Sequence, residues 1–107
     1  MSNSEPDSEQ VSRGRIVGET AKIEWRELMR EFAGGRTLLI EVGLDMVEVA
    51  FQLEQDNSEL FAEWLQTERV RAVSDDEAQQ WHQDGRVVWA CVVRPWVLVQ
   101  IAVEKEA

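Results

Sequence analysis

The sequence predicts a small single-domain α+β protein, with helices packed on one face of a small mixed or antiparallel sheet, two long C-terminal strands and a disordered N-terminal tail. Three observations carry this. Apolar residues recur at helical spacing in short stretches of the first two-thirds. The last third carries two nearly unbroken β-branched runs, Arg86–Val93 and Trp96–Val103. The first nineteen residues have only Val11, Ile16 and Val17 as aliphatic side chains beyond Met1. A chain of 107 residues suits one domain. Its expected division is a tail over 1–19 and a folded body over 20–107.

The tail is rich in Ser, Glu, Asp and Gln and offers little apolar area to offset its ordering entropy. Thr20 reads as the N-cap of a first helix, since Trp25, Leu28, Met29 and Phe32 share one helical face and Gly34-Gly35 follows as a stop. Thr37–Val42 is short and follows this glycine break, which predicts a strand. Asp45 and Glu48 have capping-box spacing and open a second helix striped by Met46, Val49, Ala50 and Leu53. Ser58 is a candidate N-cap for a third helix carrying Leu60, Phe61, Trp64 and Leu65. Arg69–Val73 alternates charged and apolar residues, as a short half-exposed strand does. Ser74 to Glu77 is a capping box before a helix that carries Ala78 and Trp81 and stops at Asp84-Gly85.

The two terminal runs are apolar on both faces. Val87, Trp89, Cys91 and Val93 point one way and Val88, Ala90 and Val92 the other. A single strand over 87–103 would span about 55 Å, against a body about 30 Å across. The chain must therefore turn at Arg94-Pro95-Trp96. Proline fits a tight two-residue hairpin poorly, so a wider turn or a bulge is expected. An apolar edge left open would be an aggregation hazard, so something must hide it.

Charge excludes some functions. The formal net charge is −10, and 9 of the 11 basic residues are arginine. No positive stripe suits a phosphate backbone, and an acidic surface repels anionic membranes, so neither nucleic acid nor membrane is an expected partner. One cysteine allows no internal disulfide and fits a reducing cytoplasm. No signal-peptide pattern opens the chain, and Arg94, Pro95 and Gln100 interrupt its longest apolar stretch, so no membrane span is expected.

No phosphate-loop, dinucleotide, nucleophile-elbow or zinc-helix motif occurs, so no cofactor is expected. His82 is the only histidine and reads as a surface helix residue; with one cysteine besides, no metal site is expected. Cys91 alternates with valine and tryptophan and reads as a small buried hydrophobe. Glu41, Asp45 and Glu48 bring three carboxylates close in sequence, but capping already accounts for two of them. Trp25, Trp64, Trp81 and Trp89 read as core. Trp96, beside Arg94 at a turn, fits either packing or an interface.

The segments TAKIEWRELMREFAGGR, LDMVEVA, the helix around Trp64 and WACVVRPWVLVQ together resemble a bacterial family known as domain of unknown function 2288. The resemblance covers roughly residues 20–100, and Pro95 to Gln100 is its most specific piece. It implies a bacterial cytosolic setting and supplies no catalytic residues.

Two functions follow as expectations. In the first, the chain is a non-enzymatic protein-interaction module that self-associates, as a dimer, through its C-terminal strands, with Arg94, Pro95, Trp96, Leu98 and Gln100 as contact residues. In the second, Glu41, Asp45, Arg94 and Trp96 converge on a site for a small molecule or ion, as in a binding protein or a minor enzyme.

Overall fold

The computed structural model describes residues 4–102, with side-chain surroundings from residue 9 onward. Five helices and five strands alternate along them: α1 (Ser4–Glu19), β1 (Ala21–Glu24), a 3-10 turn (Trp25–Leu28), α2 (Met29–Ala33), β2 (Thr37–Ile40), α3 (Met46–Glu54), α4 (Ser58–Gln66), β3 (Val70–Ala72), α5 (Asp75–Asp84), β4 (Val87–Val93) and β5 (Trp96–Ile101). The strands form one sheet in the order β1-β4-β5-β2-β3. Only β2 and β5 run parallel, so the sheet is mixed and the class is α+β as expected.

Period-two alternation sorts the central strands between two cores. Leu38, Ile40, Cys91, Val93 and Leu98 pack under α1, α3 and α4. Leu39, Val88, Ala90, Val97 and Val99 pack under the 3-10 turn, α2 and α5. Helices thus cover both faces, which corrects the one-sided expectation. The 3-10 turn, α2 and α5 supply three large aromatics, enough to roof the second face. Trp25 is fully buried, meets Phe32 and Trp81 edge to face at 5.6 and 5.1 Å, and donates its indole N–H to the Ala78 carbonyl.

The expected disordered tail is also corrected, because its described part is α1. Composition alone sees few apolar groups there, but one of them, Ile16, is 1% exposed in the first core. Thr20 accordingly closes α1, its hydroxyl donating to the Ile16 carbonyl, instead of capping a helix after it. The chain then runs extended through β1 before the Trp25 turn.

The caps follow sequence closely. Ser74 and Glu77 form the full capping box. Gly85 closes α5 at φ 65°, a left-handed conformation in which glycine carries no Cβ penalty. Asp45 caps α3, but the Glu48 carboxylate turns to Arg13 and Gln52 instead of completing a box. Asn57, one residue before the expected Ser58, caps α4.

The link between β4 and β5 is tighter than expected. Val93 pairs with Trp96, so Arg94 and Pro95 are its two turn residues. The Arg94–Pro95 bond is cis, the arrangement of a type VI turn, which the argument from a trans proline did not cover. The end predicted at Val103 lies outside the described residues.

Candidate functional site

The predicted site residues fall at opposite ends of the sheet. β5 runs from Trp96 at the turn to Gln100 at the far end, and parallel β2 ends at that far end beside Glu41. There the Gln100 amide donates to the carbonyls of Glu41 and Leu44, at 2.8 and 2.7 Å, and so ties down the loop before α3. Glu41 is exposed and lies 3.6 Å from Arg69 across an ion pair. Asp45 is held by its capping bonds. Neither lines the hollows around Arg94 and Trp96, so the four-residue pocket does not form. Leu98 is fully buried in the first core and is not available to a partner. Gln100 has a structural bond set of its own.

Arg94, Pro95 and Trp96 do come together. The turn projects them beside the α3–α4 connection, where they form one wall of a cleft of roughly 440 Å³. Leu53 and Phe61 supply its apolar side, with the Phe61 and Trp96 rings 6.4 Å apart. Asp56 and Asn57 sit on its rim. The cleft opens into a wider hollow of roughly 810 Å³ that reaches Arg15, Glu19 and Glu54 at the end of α1. Arg94 is exposed and makes no ion pair with the described residues. Arg15, by contrast, is taken up by Glu54 and Glu19.

A second surface was missed by sequence reading. Trp89 was expected in the core, yet it is 36% exposed, with Val87 at 37% and Val17 of α1 at 57%. Trp89 and Val17 line a shallow depression of roughly 290 Å³ with Thr20, Asp45 and Val47. Lys22 stands over the Trp89 ring at 5.3 Å. The depression lies between the end of α1 and the start of α3, which leave the Trp89 ring partly uncovered. No local pattern in the sequence marks it, because it depends on where the two helices dock.

The shifted titratable groups belong to structural pairs. Arg71 donates twice to Glu77, at 2.9 and 2.7 Å, and holds its carboxyl down at about 2. Arg13, followed by Gln52, lowers the Glu48 carboxyl. Burial raises the Cys91 thiol, as suits a small hydrophobe in a core and not a thiolate nucleophile. His82 is exposed on α5. Among the described residues no cluster of three metal-binding side chains occurs, and no helix is long and apolar enough to cross a membrane.

Comparison with known proteins agrees with the fold. The NMR solution structure of PA1075 from Pseudomonas aeruginosa is similar over 91% of this chain and 90% of that one, with 38% identity and a TM-score of 0.76. No curated protein matches. The profile of the family described as "Protein of unknown function (DUF2288)" matches residues 12–101, starting inside α1 and running to the end of β5. The chain therefore belongs to the DUF2288 family.

Proposed function

We propose that this chain is a non-enzymatic protein-interaction module that self-associates as a dimer, and that the contact lies at the exposed outer part of β4. Most of the apolar strand pair is covered, since β4 and β5 are interior strands with helices over both faces. What supports the reading is what stays exposed: Val87, Trp89 and Val92 on β4, with Val17 of α1 beside Trp89. Tryptophan is the residue type most enriched in binding hot spots, and a half-exposed one among aliphatics favours a contact surface.

Light scattering across micromolar to millimolar concentration tests this. A dimer is expected, and Trp89→Ser should shift it towards monomer with an unchanged circular dichroism spectrum. A single monomeric species at every concentration would sink the proposal.

A second reading rests on a separate observation, the cleft at Arg94, Pro95 and Trp96. Its aromatic side and a guanidinium without an ion pair among the described residues suit a small molecule with a flat apolar part and a carboxylate. A thermal-shift screen of small carboxylates against the chain and Arg94→Ala decides it; ligand shifts that the variant keeps would remove this site.

A further inference from the structure

Self-association leaves open how two copies hold each other, and α1 offers a means. It is joined to β1 by Thr20 alone. Of its side chains from Glu9 onward only Ile16 is buried. From Glu9 onward the rest of its hold on the body comes from its arginines: Arg13 pairs with Glu48 and stands 4.1 Å over the Phe51 ring, and Arg15 pairs with Glu54. An element held by one aliphatic anchor and partly exposed charge pairs belongs to the low-stability end of a fold.

We propose that α1 is an exchangeable arm, docking on α3 of a second copy of this chain while that copy's α1 docks in return. The inference rests on the self-association reading and names its mechanism.

Three observations favour a second copy over a foreign helix. The receptor surface already fits this helix: acidic Glu48 and Glu54 on α3 match Arg13 and Arg15, and Ile16 fills the apolar gap between α3 and β4. Exchange recreates each of these contacts, which makes swapping a low-cost route to a dimer. The link is a single residue, so opening it swings α1 away from its own body with no slack for a loose return. Finally, the hinge residue Thr20 lies in the depression with Val17 and Trp89. Two bodies joined by exchanged arms meet at their hinges, which is where the exposed apolar corner lies. The corner carries one charge of each sign, Lys22 over the Trp89 ring and Asp45 in the lining of the depression, so that a second copy meeting it through a two-fold axis brings opposite charges to it.

A charge-reversal pair tests the exchange. One chain carries Arg13→Glu and Arg15→Glu, the other Glu48→Arg and Glu54→Arg. Alone, each sets α1 against like charge, whether in its own body or in a homodimer. Mixed, every α1 finds opposite charge on the other copy. Native mass spectrometry is expected to show monomers of each variant and a 1:1 heterodimer on mixing. A mixture no more associated than its components overturns the proposal. A flexible Gly/Ser insertion after Thr20 gives an independent reading, because it lets α1 fold back onto its own body. Loss of the dimer with unchanged circular dichroism supports exchange, and a persisting dimer overturns it. A wild-type dimer with both tests negative removes the exchange and leaves self-association standing. A monomeric wild type removes self-association, and exchange with it.

Discussion

On one face of the sheet, Trp25, Phe32 and Trp81 of the 3-10 turn, α2 and α5 interlock edge to face, and the Trp25 indole finds a carbonyl partner inside the core. On the other, α3 and α4 pack with a comparable apolar stripe, but α1, docked beside α3 on the same face, is held by Ile16 and two arginine–carboxylate pairs. The first arrangement depends on buried area and close packing, which screening does not weaken, although the Arg71–Glu77 pair beside it is open to acid. The second depends on charges that salt and acid both weaken. One fold thus holds a face built for permanence and a face with a removable layer. Whatever the chain binds or exchanges, the removable layer is where the cost of opening is lowest.

Trp25→Ala should have the largest effect on this contrast. A fully buried tryptophan truncated to alanine costs about 3–5 kcal/mol, and chemical denaturation should show a cooperative loss of that size. A loss under about 1 kcal/mol would mean that the aromatic face is not the anchor.

Ile16→Ala should cost less, about 2 kcal/mol at the low end for such truncations. The limit is physical: once α1 undocks, no further contact remains to lose. Hydrogen exchange should show α1 unprotected while β4 and β5 keep their protection. Simultaneous loss across the sheet would show instead that α1 is integral to the fold.

Acid should act on both layers through their depressed carboxyls. Glu77 sits at about 2 in the folded chain, below its ordinary value of 4.5. Its contribution is therefore fully present above about pH 4.5 and is lost as pH falls towards 2. The stability difference between the wild type and Glu77→Gln should shrink to nothing over that window. Glu48 is likewise lowered, so the α1 clamp weakens in the same direction as pH falls. A gap that stays constant down to pH 2 would disprove the Arg71 pair as its source.

Salt should have the smallest effect. At about 1 M the Debye length falls to roughly 3 Å, so exchange of α1 amides should quicken while the Trp25 face stays protected. Equal acceleration on both faces would erase the distinction between them.

Legibility in the sequence tracks the same contrast. Trp25, Trp64 and Trp81 announced their burial through helical spacing, and Ser74 with Glu77 announced a cap, because both signals are local. α1 was misread because its stability is not local. Arg13 and Arg15 look like solvated charge until Glu48 and Glu54, 35 and 39 residues away, are placed beneath them. The candidate site divided similarly. Arg94, Pro95 and Trp96 are adjacent in the chain and stayed adjacent in space. Glu41 and Asp45 were linked to them only by residue type, and the parallel pairing of β2 with β5 carried them to the other end of the sheet. Trp89 could not be identified as surface, since its alternation matches that of buried Cys91 two residues on.

The sequence by itself determined the α+β class, the run of most helices and strands, the faces of β4 and the acidic character, because each is set by neighbours within a few residues. Only the tertiary structure decided that β4 and β5 are interior strands, that both faces are roofed, that α1 is a docked helix and that Trp89 reaches the surface. These depend on strand order and on charge pairs between distant segments, and the free energy of such long-range contacts leaves no periodic mark in the chain. The candidate contact corner exists because α1 and α3 dock so as to leave Trp89 partly uncovered between them.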